Sequence, residues 1–217
     1  RDDGLLPLRG VAGSRVGEFV CGNFDLDADG FSDIFVVAPK GGRDLEGRAV
    51  LLRGRDHYDT IEYSFLIDHA RHFIRNAGDV NGDGFSDFLV GMEDQSVLLL
   101  WGGGYLHGAI DLRNLDARWG CLIKGAPSAY GVGDINGDGF PDLYVCNDFN
   151  DPDRMYRNNG DGTFTDVLAE TMPHTPWFSM GSDAGDLNND GLLDLLAVDM
   201  SATNHYKQKT TMGAMSA

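Results

Sequence analysis

The residues best placed to do chemistry fall in four short acidic stretches that repeat one nine-residue pattern, D-x-[DN]-x-D-G-x-x-D. They read D-L-D-A-D-G-F-S-D at Asp25 to Asp33, D-V-N-G-D-G-F-S-D at Asp79 to Asp87, D-I-N-G-D-G-F-P-D at Asp134 to Asp142, and D-L-N-N-D-G-L-L-D at Asp186 to Asp194. Side-chain oxygens at alternate positions 1, 3 and 5 can converge on one point, because the glycine at position 6 permits the bend that closes the loop. The side-chain ligand sets are Asp25, Asp27, Asp29 and Asp33; Asp79, Asn81, Asp83 and Asp87; Asp134, Asn136, Asp138 and Asp142; and Asp186, Asn188, Asp190 and Asp194. Position 7 adds a backbone carbonyl, from Phe31, Phe85, Phe140 and Leu192. A shell made only of oxygens, without His or Cys, suits Ca²⁺ far better than zinc or copper and better than Mg²⁺. The expectation is about four Ca²⁺ ions.

Two other readings of the loops compete with this one. An EF-hand shares the first half of the pattern but needs a Glu at position 12 and flanking helices. Position 12 holds Val36, Val90, Val145 and Ala197, inside short aliphatic runs that favour buried strands. The other reading is a plain Asp/Asn/Gly turn without metal. Four such clusters of three or four carboxylates would repel themselves open in the absence of a cation.

The elements that position the loops follow from the spacing, roughly 50 residues per repeat, which is enough for one unit of several strands. After the first loop, strands are expected at 33–38, 48–52, 61–67 and 72–76. After the second they are expected at 87–92, 96–101, 109–112 and 121–124. The third repeat continues with 142–146, Met155-Tyr-Arg, a tight Asn158-Asn-Gly-Asp-Gly turn and Thr163-Phe-Thr-Asp-Val. Four short antiparallel strands per repeat are the make-up of a β-propeller blade. The expected fold is therefore all-β: one propeller segment over 1–217, with approximate blades 15–71, 72–125, 126–178 and 179–217, each carrying a calcium loop. The last of these looks unfinished, so the segment is expected to be about four blades of a larger propeller. A four-bladed ring closed by pairing residues 1 to 20 with the end of the chain is the alternative.

These residues resemble a family. The glycine before three loops (Gly78, Gly133, Gly185) and the exits Asp87-Phe-Leu-Val-Gly and Asp142-Leu-Tyr-Val are similar to FG-GAP/VCBS repeats, the calcium-loop blades of integrin α-subunit propellers and of many secreted bacterial proteins. From Asn147 onward the stretches N-D-F-N-D-P-D-R-M-Y-R-N-N-G-D-G-T-F-T-D and F-S-M-G-S-D-A-G-D-L-N-N-D-G-L-L-D resemble propellers related to cartilage acidic protein, which are often joined to an ASPIC/UnbV domain. The resemblance implies a propeller, usually of seven blades, with calcium near one rim of each blade. It supports fold and metal better than activity.

The net charge of −17 leaves no basic patch, which argues against nucleic acid and anionic membranes as partners. No stretch approaches ~20 apolar residues, so no membrane span is expected. Weak calcium loops require the millimolar calcium outside cells, so a secreted, cell-surface or periplasmic location is expected. Cys21, Cys121 and Cys146 are odd in number, and at most one pair forms a disulfide. The expected function is a calcium-binding scaffold for adhesion or protein interaction, non-catalytic, with further blades or another chain completing the propeller and with a protein or glycan ligand. The alternative is a lectin or a propeller-type polysaccharide lyase. Its base and charge-neutralising residues would have to come from Tyr130, Tyr144, Tyr156, His174 and Arg157. His69 with His72, the tryptophans Trp101, Trp119 and Trp177, and the cluster Asp148, Asn150, Asp151 and Asp153 are weaker candidates for metal or sugar contact.

Overall fold

A computed structural model describes residues 12–41, 47–54, 63–68, 73–92, 94–103, 106, 108–114, 118–147, 151–176 and 178–199, with backbone alone at 63–66 and 68. His69, His72, Asp148, Asn150, Trp177 and the stretches at 1–11 and 200–217 lie outside the described residues. Among the described residues no helix is long and apolar enough to cross a membrane.

In chain order the strands are β1 (Phe19–Phe24), β2 (Asp33–Ala38), β3 (Arg48–Leu52), β4 (Tyr63–Asp68), β5 (Ile74–Gly78), β6 (Asp87–Gly91), β7 (Val97–Leu100), β8 (Gly108–Asp111), β9 (Gly120–Ile123), β10 (Ser128–Gly133), β11 (Asp142–Cys146), β12 (Arg154–Asn158) and β13 (Phe164–Asp166). A single helical turn, α1 (Leu168–Thr171), precedes β14 (Ser179–Gly185) and β15 (Asp194–Asp199). They form four sheets in sequence: β1-β2-β3-β4-β8, β5-β6-β7-β9, β10-β11-β12-β13 and β14-β15. The chain is an all-β repeat of mainly antiparallel sheets.

Period-two patterning explains the stacking. All five residues of β6 are buried because each face of the second sheet is covered. Phe88 and Val90, with Leu98 and Leu100 of β7, pack on Phe35, Val37 and Leu51 of the first sheet. The intervening Leu89, Val97 and Leu99 pack on Ala129, Leu143 and Val145 of the third. On the far face of the third sheet, Tyr144, Cys146 and Met155 meet Ala184, Leu195 and Ala197 of the fourth. At the first junction the rings of Phe24, Phe35 and Phe88 lock together, with centroids 4.5 to 5.7 Å apart.

The opening strands of the sheets lie side by side, β5 between β1 and β10, and β10 beside β14. They come so close that a Cβ on Gly131 would stand 2.7 Å from the Cα of Ala77. Small residues are therefore obligatory there. Arg75 of β5 ties this row together: its guanidinium lies between the Phe73 and Tyr130 rings, 3.9 and 4.0 Å from their centroids, and donates to the Ala129 carbonyl at 3.0 Å.

Three expectations require correction. The segment 121–124, expected to follow a third strand at 109–112, instead pairs directly with β7 and forms β9, the outer strand of the second sheet. The strand entering the third loop is β10. The expected third strand of the second repeat, at 109–112, leaves its own sheet: β8 crosses over and pairs in parallel with β4, Ile67 opposite Ile110. The first sheet thus has five strands, one of them parallel, where four antiparallel strands were expected. The physical reason is burial. By leaving, β8 brings Leu106, Ile110 and Leu112 into the core between the first and second sheets, all three nearly inaccessible.

Candidate functional site

Each acidic loop joins the first two strands of its sheet, linking β1 to β2, β5 to β6, β10 to β11 and β14 to β15. Adjacent loops are neighbours: the Asn158 side chain donates to the Val80 carbonyl of the second loop at 2.7 Å and to Pro141 of the third at 3.2 Å. The backbone cage is the same in every copy. The position 1 carboxylate accepts from the N–H groups of positions 5 and 6, at 3.1 and 2.8 Å on Asp25, 3.0 and 2.8 Å on Asp79, 3.0 and 2.7 Å on Asp134, and 3.0 and 2.8 Å on Asp186. The position 5 carboxylate accepts from the N–H of position 7, from Phe31, Phe85, Phe140 and Leu192 at 2.8 to 3.0 Å. The glycines at position 6 have φ of 89°, 91°, 95° and 87°, the conformation that turns the chain back.

Position 4 is also left-handed in each copy, with φ of 57° at Ala28, 74° at Gly82, 76° at Gly137 and 60° at Asn189. That requirement was legible as the Gly/Gly/Asn preference at this position, a signal the nine-residue pattern leaves out.

In the first loop one oxygen each from Asp25, Asp27 and Asp29 lies within 4.8 Å of the others. That spacing fits oxygens shared by one cation of calcium's size, with ligand distances of roughly 2.3–2.6 Å. In the other three loops an asparagine replaces the middle carboxylate. Asn81, Asn136 and Asn188 accept the position 5 N–H on Oδ1 and donate from Nδ2 to Asp83, Asp138 and Asp190. The first loop also differs in its surroundings. Arg53, just beyond β3, donates to the Asp27 carboxylate and to the Leu106 carbonyl, the latter at 3.2 Å.

The position 9 aspartates do something the spacing does not show. Asp33, Asp87 and Asp142 are buried, and each fastens the loop at two points. One oxygen accepts the N–H of position 2, from Leu26 at 2.8 Å, Val80 at 2.9 Å and Ile135 at 3.2 Å. The other reaches the far side of the sheet and accepts from Gly54 at 2.7 Å, Gly102 at 2.8 Å and Asn158 at 2.9 Å, just after or at the end of the third strand. In the fourth loop Asp194 makes the first bond, to Leu187 at 3.0 Å. These bonds leave a further lone pair on each oxygen except Oδ2 of Asp87, which also accepts the Asn81 N–H at 3.3 Å, so at least one oxygen of each carboxylate stays open to ligation. Burial raises all three buried carboxyls above the usual range, Asp87 to about 6, against the pull of the backbone donors.

Among the residues of the carbohydrate alternative, Tyr130 pairs with Tyr144 across β10 and β11. Tyr130 and Tyr144 face the fourth sheet, whereas Tyr156 packs toward the second. The Tyr144 hydroxyl donates to buried Asp153 at 2.6 Å, and burial with that carboxylate pushes it well above the ordinary tyrosine range. Arg157 and His174 are exposed. Asp153 also accepts the Asn147 N–H at 2.8 Å, so it anchors its loop, while Asp151 is exposed. Trp101 and Trp119 are half-buried against the two larger cores. The three cysteines are free.

Residues 134–197, from the first aspartate of the third loop to the strand after the fourth, match the family model of the FG-GAP-like repeat. This part of the chain carries an FG-GAP-like repeat, and the first two loops share its pattern and its hydrogen bonds.

Proposed function

We propose that the chain is a run of calcium-loop blades from an extracellular β-propeller, acting as a scaffold for adhesion or protein interaction, with Ca²⁺ as a structural ion in each loop. The observation that carries this reading is the repetition of one hydrogen-bonded cage in four loops, closing three carboxylates to within 4.8 Å in the first. Asp25, Asp27 and Asp29, and their counterparts at positions 1, 3 and 5, would hold the ion. It would neutralise a cluster that otherwise repels itself. No catalytic role is assigned, because carboxylates committed to a structural ion are poor proton donors or acceptors.

The propeller part of the reading is supported by face-to-face stacking of successive sheets around a close row of opening strands. It is also supported by the apolar faces at the two ends of that row, Val20 and Ile34 on the first sheet and Leu196 and Val198 on the last, which are 41–60% exposed. Further blades would cover them.

Calorimetric titration with Ca²⁺ and with Mg²⁺, beside thermal melts in calcium and in EDTA, tests the metal. With extracellular-type dissociation constants of ~10⁻⁴ to 10⁻³ M, ~1 mM calcium adds about 0.4–1.4 kcal/mol per site and about 1.6–6 kcal/mol over four sites. A clear drop in melting temperature on chelation is expected. An identical melt in EDTA, with no heat on calcium addition, removes the metal from the reading.

A further inference from the structure

The two inter-sheet junctions that flank the second sheet are built unequally. Sheets that twist apart leave a wedge at their outer edges, and something apolar has to fill it. Between the first and second sheets the filler is β8, which extends the first sheet beyond β4 and drives Ile110 and Leu112 into the core. Between the second and third sheets no such strand is present among the described residues. The third repeat joins β12 to β13 through the tight turn at Asn158 to Thr163 and has no segment to spare.

What remains is a groove of about 410 Å³, within the ordinary range for ligand sites. Its walls are Cys121 and Ile123 of β9 on one side and Tyr156 and Phe164 of the third sheet on the other. In the second sheet β9 occupies the place that β4 holds in the first, and its outer edge pairs with no described strand. Leu122 is 41% exposed on that edge. An unpaired strand edge beside an apolar groove is a site for strand addition. Lys124 stands exposed at the mouth of the groove and forms no ion pair with a described residue, an unusual cation in a chain of net charge −17.

We propose that β9 and this groove take up an extended segment of a partner protein as a fifth strand, as β4 takes up β8. The segment would carry aliphatic side chains two residues apart, directed into the groove, and a carboxylate that meets Lys124. This gives the scaffold reading a partner chemistry and rests on it. Calcium titration of the same samples separates failure of one from failure of the other.

The chain's own β8 segment is a ready probe. A fluorescent peptide of residues 106–113, Leu-His-Gly-Ala-Ile-Asp-Leu-Arg, is titrated against the whole protein in calcium and followed by anisotropy. Saturable binding with a dissociation constant on the order of 10⁻⁵ to 10⁻⁴ M is expected. Ile123→Asp should abolish it. Lys124→Glu should weaken it at least about fivefold, and a peptide with Lys in place of Asp should restore binding to that variant. Circular dichroism checks the fold of each variant, and should Ile123→Asp unfold, the Lys124 charge swap still decides. No saturation by about 1 mM, or equal affinity in wild type and both variants, overturns the proposal. A concentration-dependent dimer in ultracentrifugation that Ile123→Asp breaks would also overturn it, since the occupant would then be a second copy of the chain.

Discussion

Of two aspartates of the third loop, Asp142 should cost stability on alanine substitution with or without calcium, and Asp138 only when calcium is present. Asp142 is fully buried and accepts the Asn158 N–H at 2.9 Å and the Ile135 N–H at 3.2 Å. Asp142→Ala leaves the buried Asn158 N–H without its acceptor, a cost of ~1–3 kcal/mol, and the half-buried Ile135 N–H with only water, a cost of ~1 kcal/mol or less. Relief of the burial that raises the Asp142 carboxyl works against this loss. It does not cancel it, because both donors remain behind. A net loss of about 2 kcal/mol is expected in EDTA, and more in calcium.

Asp138 is exposed, and its one backbone bond, to Phe140 at 3.0 Å, lies in a solvated turn. Asp138→Ala should change stability by no more than ~0.5 kcal/mol in EDTA. In ~1 mM calcium it forfeits the ion's ~0.4–1.4 kcal/mol. Urea denaturation followed by tryptophan fluorescence, with and without calcium, measures all four values. Asp142→Ala within ~0.5 kcal/mol of wild type in EDTA would refute the fastening role. An equal loss for Asp138→Ala in both conditions would refute its place as a ligand.

Phe88→Ala empties the space beside two rings, 4.5 Å from Phe24 and 4.9 Å from Phe35, and should cost about 3–5 kcal/mol by denaturation. A cost below ~1 kcal/mol would mean that the junction between the first two sheets collapses to fill it. Ala28→Gly relieves a left-handed alanine at an exposed position where two other copies carry glycine. The relief of ~1–2 kcal/mol exceeds glycine's entropic cost of ~0.5–1 kcal/mol, so a gain of about 0.5–1 kcal/mol is expected and a loss would count against the loop geometry. The calcium-free protein should become more stable as pH falls from 7 toward 4. The folded Asp87 holds its proton up to about 6 whereas the unfolded chain releases it near ~3.9, so stability is lost as pH rises through that window, by at most about 3 kcal/mol. Asp33 and Asp142 add to it with the same sign. Melting profiles in EDTA that are flat between pH 7 and 5, or that fall as the solution is acidified, would contradict this.

The outgoing strands were legible because each begins on the last aspartate of a loop and runs through aliphatic residues. β2 and β11 occupy the expected 33–38 and 142–146, and the aliphatic run of β3 likewise occupies the expected 48–52. The opening strands β1, β10 and β14 were missed. Sequences such as Ser-Ala-Tyr-Gly-Val-Gly and Ser-Met-Gly-Ser-Asp-Ala-Gly show no apolar alternation, because close approach to neighbouring strands selects for small residues over large ones. The loops could be read as oxygen cages from spacing alone. The division of labour within them could not, since an aspartate that braces the loop's own backbone and one that fastens the loop to the third strand are the same letter. Nor could the crossover of β8, because its four residues suit the edge of either sheet and only the wedge that needs filling decides between them.

That crossover makes the order of synthesis matter. The edge of β4 has no partner until β8 emerges from the ribosome, and at ~5–20 residues per second the intervening chain takes a few seconds to appear. During that interval the first sheet presents an open apolar edge to its surroundings. The first two repeats are therefore expected to fold as one obligate unit, the second finishing the first, while the third repeat, whose four strands are contiguous, can form within its own span.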